Sequence, residues 1–256
     1  MKTFATLQVQ EEIGEILFTT EPAGKPPTVD FELLDQLEAH FDTLEHSRNC
    51  RALLLKSSSP KYFVVGANLE ALKQINQNTI LRWIERGHAV YNRLEALPFP
   101  TLAIVQGYAL GGGLELAMAC DLIFASSSAH FGQPEAGLGF IPGWGGCTRL
   151  PERVGWSRAK ELCFTGRILD AEEAFQIGLI DFTGRTEELD AKLHTTLESI
   201  KSNSPVSITM VKKILHSRIG ETRTRAVLEE STASAVCISS GDTARRLEAF
   251  FKERSK

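Results

Sequence analysis

Residues 107–121 read GYALGGGLELAMACD. Just ahead of them, Leu102, Ala103, Ile104 and Val105 form an unbroken apolar run, the pattern of a strand buried on both faces. Behind the glycines, residues 114–120 are apolar and rich in helix formers, apart from Glu115. Gly111, Gly112 and Gly113 join the two segments. Glycine adopts dihedrals closed to other residues and lets a ligand approach bare backbone. A strand, a glycine turn and a helix start therefore aim free N–H groups and the positive helix end at one point. Such a point suits an anion, or a carbonyl oxygen that is gaining charge.

Glu115 sharpens this expectation, because it is the only charged residue between Glu95 and Asp121. Acids are common in a first helical turn, where they favour the macrodipole. A solvated one, however, is not ordinarily wrapped by neighbours such as Leu114, Leu116 and Met118. A carboxylate lodged among apolar groups has its pKa raised by desolvation, and such groups recur as acids and bases. Glu135 is a second isolated acid: apart from His130, nothing else charged lies between Asp121 and Arg149. It sits in GQPEAGLGFIPGWGG, where proline and glycine fix an irregular backbone of the kind that often carries function.

The whole chain sets bounds on this site. Its 256 residues suffice for one large domain, or a core with a smaller appendage. A content of 43% apolar and 23% charged residues is that of an ordinary globular protein. A net charge of −4 lacks the basic footprint of a nucleic-acid binder. No apolar run approaches the roughly 20 residues of a membrane helix, and MKTFATLQVQEEIGE lacks a signal-peptide core. Five scattered cysteines without a CxxC pair read as reduced, mostly core thiols, from which a cytoplasmic location is expected. The six histidines show no HxxxH or HExxH spacing, so no metal is expected. The glycines at 137, 139 and 143 miss the GxGxxG spacing, and neither a phosphate loop nor a GxSxG elbow occurs. His130 and Cys120 read as packed side chains, and Lys212, Lys213, Arg223 and Arg225 as solvated helix faces.

Periodicity predicts strands at 4–9 and 13–18 around a turn at Glu11 and Glu12, then an amphipathic helix from Val29 that fades near Ser47. A buried strand at 51–56 follows, then a short strand in KYFVVGANLEAL that turns at Gly66 into a helix near Leu69. A second amphipathic helix uses Ile80, Ile84, Val90, Tyr91 and Leu94 and stops before Pro98. Beyond the glycine unit come short strands at 122–125 and 130–131, and helices at 156–165 and 171–177, the second capped by Asp170. From Glu187 onward the pattern is helical: 187–201, 205–216, 222–239 and 243–253. Alternation of strand and helix argues for an α/β fold with buried sheets covered by helices. The domain expectation is a core with the active site at 1–185 and a helical capping or oligomerisation region at 186–256. The turn at Phe63-Val64-Val65-Gly66-Ala67-Asn68 copies the strand-glycine-helix plan of the first. Two convergent N–H groups are what a carbonyl needs when it becomes an oxyanion.

At FVVGANL (63–69), GYALGGGLELAMACD, FGQPEAGLGFIPGWGG (131–146) and TGRILDAEEAFQIGLID (165–181) the chain resembles the enoyl-CoA hydratase/isomerase (crotonase) superfamily, in the family's order and spacing. The resemblance implies a crotonase-like spiral of ββα units with a C-terminal helical region, and trimers that often pair into hexamers. It implies an acyl-CoA thioester as ligand, with coenzyme A part of the substrate and no separate cofactor. Ala67 and Gly112 match the two oxyanion-hole donors, and Glu115 and Glu135 match the two glutamates of the hydratases. By that match Glu115 activates water, Glu135 protonates the α-carbon, and Gln133 positions the loop. Val65, Gly66, Gly111 and Lys25 complete the candidate substrate-binding set. The chain departs from the hydratases in AGKPPTVDF (23–31), which keeps Lys25-Pro26 but lacks the usual Asn-Ala-Leu. The expected activity is hydration of a short or medium trans-2-enoyl-CoA to 3-hydroxyacyl-CoA. Its competitors are double-bond isomerisation or another acyl-CoA reaction on the same fold, and a non-catalytic acyl-CoA-binding homologue.

Overall fold

The computed structural model describes residues 1–47, 49–76, 78–217, 245 and 252. The helices expected at 222–239 and 243–253 lie outside the described residues, but for the isolated positions 245 and 252. The chain begins with an antiparallel hairpin, β1 (Lys2–Gln10) and β2 (Ile13–Glu21). Its two-residue turn holds Glu11 and Glu12 at φ 49° and 69°, the mirror-image turn that matches strand twist. Helix α1 (Phe31–His46) follows, with the Asp30 side chain accepting from the Leu33 N–H at its start. Next come β3 (Ala52–Ser57), α2 (Leu69–Leu72) and α3 (Ile80–Ala96). The central part holds β4 (Thr101–Val105), β5 (Tyr108–Leu110), α4 (Gly112–Met118), β6 (Leu122–Ser126) and β7 (His130–Gly132). A 3-10 turn at Glu135–Leu138 leads to α5 (Arg149–Val154), α6 (Trp156–Thr165), β8 (Ile168–Asp170), α7 (Ala171–Gln176) and β9 (Phe182–Gly184). Helices α8 (Thr186–Ser202) and α9 (Pro205–Ser217) complete the described structure.

A six-stranded sheet runs β1-β2-β3-β4-β6-β9, parallel from β2 onward, and a three-stranded sheet runs β5-β7-β8. A structural repeat links them. Strand β4 lies in the large sheet, β5 in the small one, and α4 follows; β6 and β7 repeat the step before α5 and α6. An earlier turn begins with β3, and Tyr62 makes a parallel bridge to Tyr108 before α2 and α3. These are turns of a ββα spiral whose unequal helical returns hide the period in the sequence.

The apolar runs of β3 and β4 are explained by burial on both faces. Leu53, Leu55, Ala103 and Val105 join the main core, while Ala52, Leu54, Leu102 and Ile104 pack with Leu189 and Leu193 of α8. The short strand expected in KYFVVGANLEAL before Gly66 does not form; only an isolated bridge at Tyr62 is present. The backbone there alternates partners, with Phe63 N–H donating to Tyr108 and Val65 N–H to Pro27, so no continuous ladder forms. The run before the glycines is split: β4 ends at Val105 and a separate strand, β5, enters the turn.

Lys212 is not a solvated cation. It is buried, donates to Phe99 C=O at 2.9 Å and pairs with Asp121 at 2.8 Å. One turn on, His216 lies 3.2 Å from Asp121 and 3.4 Å from Glu95, fastening α9 to the end of the α4 segment and to α3. Among the four described cysteines Cys50 and Cys120 are buried, whereas Cys147 is exposed and Cys163 partly so. No helix among the described residues is long and apolar enough to cross a membrane.

Asp121 and Glu95 push the His216 imidazolium up to about 9. A folded-state pKa above the unfolded value gives stabilisation that is complete below pH ~6.5 and lost as pH rises through the folded pKa. Among the described residues, the charged neighbours of this cluster include Lys212 beside Asp121, Arg149 beside Glu95, Glu152, and Arg153, whose Nη2 donates to Asp121 C=O at 3.3 Å. His216→Gln is expected to lower Tm at pH 6 and to match the parent near pH 10. Thermal melts across that range check this, and a deficit independent of pH contradicts it.

Candidate active site

The small sheet delivers the chain to the glycine turn. Gly111 N–H donates to Gly132 C=O, and Gly111 itself sits at φ 52° and ψ −128°, a conformation costly for a residue with a Cβ. A Cβ on Gly113 would lie 1.8 Å from Val64 C=O, so α4 can start only if that position is glycine. Helix α4 is just seven residues, and every one of them is buried. Its dipole is correspondingly small, so the site depends on individual N–H groups more than on the helix as a whole.

Two of those N–H groups face each other across the turn. Val29 pairs with the 66–68 segment through Gly66 C=O and Asn68 N–H, which leaves the Ala67 N–H on the opposite side. The Gly112 N–H is at the helix start and has no intrahelical acceptor. Among the described residues, no protein group accepts from either N–H. A Cβ built on Gly112 would lie 3.8 Å from Ala67 N, and one built on Gly66 3.8 Å from Gly112 N, so the two donors are close neighbours.

Glu115 lies one helical turn into α4 and is 2% exposed. Its Oε1 accepts from the Trp144 N–H and the Gly146 N–H, both at 2.7 Å. Burial, with added repulsion from Glu135, nevertheless raises its pKa to about 7, against the pull of those two N–H groups and Arg149. Glu135 opens the 3-10 turn, and burial raises it to about 7 as well. Its Oε1 is so close to Gly111 that a Cβ there would sit 2.7 Å away. Gln133 is 1% exposed and satisfies its surroundings only with the amide nitrogen toward Glu135, donating at 3.0 and 3.1 Å to the two oxygens.

One cavity of about 110 Å³ is lined by Glu115, Glu135, Ala67, Gly112, Val65, Gly66 and Gly111 together. Its remaining walls are apolar and include Leu72, Trp83, Ile84, Phe140 and Trp144. Lys25 does not line it: the side chain is exposed, and its carbonyl accepts from Thr20 Oγ1 at 3.1 Å. The Lys25 loop still reaches the site's edge, where Pro27 C=O accepts from Val65 N–H. No cluster of three or more His, Cys, Asp or Glu side chains able to hold a metal occurs among the described residues.

Sequence reasoning missed the groups that hold Glu115. Trp144 and Gly146 act through backbone N–H, so the only signal was the irregular IPGWGG stretch itself. Arg149 fixes that stretch from behind, its Nη1 donating to Trp144 C=O at 3.0 Å and its own N–H to Gly145 C=O at 2.7 Å. The Tyr91 hydroxyl donates to Gly112 C=O at 2.8 Å, tying α3 to the start of α4.

Comparison with known proteins agrees with this geometry. A family model described as enoyl-CoA hydratase/isomerase matches residues 21–256. The Clostridium acetobutylicum protein named short-chain-enoyl-CoA hydratase is 36% identical over 247 residues, 96% of this chain and 95% of its own length. The crotonyl-CoA hydratase of Syntrophomonas wolfei is 36% identical over 202 residues, 79% of this chain and 78% of its own. The solved structure of enoyl-CoA hydratase from Bacillus anthracis superposes with a TM-score of 0.91 at 30% identity, covering 97% of this chain and 96% of that one. A ββα spiral and a family pattern that spans nearly its whole length lead to one conclusion: the chain belongs to the enoyl-CoA hydratase/isomerase family.

Proposed function

We propose that the protein is an enoyl-CoA hydratase that adds water to a trans-2-enoyl-CoA and releases the 3-hydroxyacyl-CoA. The observation that carries this is the meeting, in one apolar cavity, of two unused N–H donors and two carboxyls whose pKa values lie near neutrality. The Ala67 and Gly112 N–H groups bind the thioester oxygen and gain strength as negative charge moves onto it. Glu115, ionised, takes a proton from the water whose oxygen bonds to the β-carbon. Glu135, protonated, gives its proton to the α-carbon. One carboxyl ends protonated and the other ionised, so a single proton exchange with solvent resets the pair. A double-bond shift needs only one such group, and the second glutamate favours hydration.

The remaining assignments extend this reading. Val65, Gly66 and Gly111 flank the acyl-CoA, and Lys25 stands on the loop beside Val65 as a partner for its phosphates. A homotrimer, or a dimer of trimers, is supported by exposed apolar side chains such as Trp156, Phe164 and Phe175. Of the C-terminal helical region, the described α8 covers the large sheet through Leu189 and Leu193, in keeping with a capping or oligomerisation role in a cytoplasmic protein.

Catalysis needs one proton shared between the two carboxyls, so kcat/KM is expected to be bell-shaped in pH with its maximum near neutrality. The limbs belong to the pair rather than to either residue. Initial rates from pH 5 to 9 check this, and a profile flat across that range contradicts it. Glu115→Gln and Glu135→Gln are each expected to slow the decay of crotonyl-CoA absorbance by about 10²–10⁴-fold, the usual yield of general acid–base catalysis. Turnover in heavy-oxygen water must place the label on the product. A product without label, or parental rates in both variants, refutes the assignment.

A further inference from the structure

The Trp144 side chain has a place of its own, apart from the backbone N–H that binds Glu115. The indole is 3% exposed and spans the gap between α4 and α3. The edge of its six-membered ring lies at the oxyanion turn: a Cβ on Gly112 would meet its Cζ3 at 2.8 Å and Cε3 at 2.9 Å. The opposite edge is sunk into α3, where a Cβ on Gly87 would meet its Nε1 at 2.1 Å and Cδ1 at 2.3 Å. Gly87 is thus the notch that receives the ring, which accounts for a glycine in mid-helix, where that residue is disfavoured.

The ring is held from three sides. Its Nε1–H donates to Trp83 C=O at 3.3 Å, its centroid lies 4.8 Å from that of Trp83, and Tyr91 meets it edge-on at 5.6 Å. Tyr91 is itself pinned to Gly112 C=O. A wall built this way does not swing aside on rotamer exchange. It bounds the cavity beside Gly112 and Glu115, where an acyl chain must pass once its thioester oxygen is seated. The space left, about 110 Å³, is small beside the ~300–1,000 Å³ of sites for drug-sized ligands.

We propose that the Trp144 indole is the end wall of the acyl site and makes the enzyme selective for short straight-chain 2-enoyl thioesters of about four to six carbons. The proposal rests on the hydratase reading and adds to it a determinant of chain length. Exclusion is steric: a longer chain must displace a ring that Gly87 and Tyr91 hold in place. Any substitution except proline keeps the 144 N–H that binds Glu115, so the selectivity can be altered without deleting that bond.

The test compares kcat/KM for trans-2-enoyl-CoA of 4, 8 and 12 carbons in the parent, Trp144→Leu and Trp144→Ala. The parent is expected to prefer the four-carbon substrate over the twelve-carbon one by roughly 100-fold or more. The twelve-to-four ratio should rise roughly tenfold or more in Trp144→Ala and by less in Trp144→Leu, in line with the discrimination apolar pockets achieve. A ratio is insensitive to how much of a variant is folded. For a variant too slow to assay, calorimetric Kd values for butanoyl-CoA and dodecanoyl-CoA supply the same comparison. A parent indifferent to chain length, or a ratio unmoved in both variants, overturns the role of Trp144 while leaving the hydratase intact. A parent that hydrates none of the three chains overturns the hydratase reading and this proposal with it.

Discussion

A carboxyl cut off from water must either find donors or give up its charge, and Glu115 is held between those alternatives. Two backbone N–H groups, from Trp144 and Gly146, converge on its Oε1 and favour the anion. Burial and the nearby Glu135 favour the acid. The balance falls near neutral pH, where a group can both take and return a proton. Much of the architecture follows from keeping that balance. Arg149, itself buried, anchors Trp144 C=O with its side chain and Gly145 C=O with its backbone, so the donating side of the turn stays aimed at Glu115. The salt bridge from Arg149 to Glu95 and the contact from Glu95 to His216 carry the same anchoring outward to α9.

The spiral explains how distant segments meet. Each turn places one strand in the large sheet and the next in the small one, so successive returns pass the same corner. The turn at Gly66 and the turn at Gly111 are therefore neighbours although 45 residues separate them, and their unused amides come together. The Gly132–Glu135 segment arrives by the following turn, with Gly132 C=O accepting from Gly111 N–H. Nothing in the site requires a long helix or a charged surface, which suits a reaction in which charge appears on one oxygen and two protons move.

The sequence disclosed what repeats along a strand or helix and what stands out chemically. The apolar runs of β3 and β4, the stripes of α1 and α3, and two acids isolated in long uncharged stretches could be read directly. Three-residue strands such as β5, β8 and β9 could not, because their pairing is decided by neighbours far along the chain. Helix α5 was hidden by Pro151, which is tolerated because it falls in the first turn, where no intrahelical N–H is needed. Lys212 looked solvated because its partners, Asp121 and Phe99 C=O, lie about a hundred residues earlier. For Trp144 the bond to Glu115 was hidden because it is backbone, and the seat of its indole because it depends on a glycine in a helix nearly sixty residues away.

The central claim is that Ala67 and Gly112 share one oxygen of the substrate while Glu115 and Glu135 flank the adjoining carbons. A crystal structure with butanoyl-CoA, a saturated analogue that cannot be hydrated, tests it most directly. The account predicts the thioester oxygen at about 2.7–3.2 Å from both nitrogens, with the α- and β-carbons between the two carboxyls. A thioester seated elsewhere, or touching only one of the two amides, contradicts it.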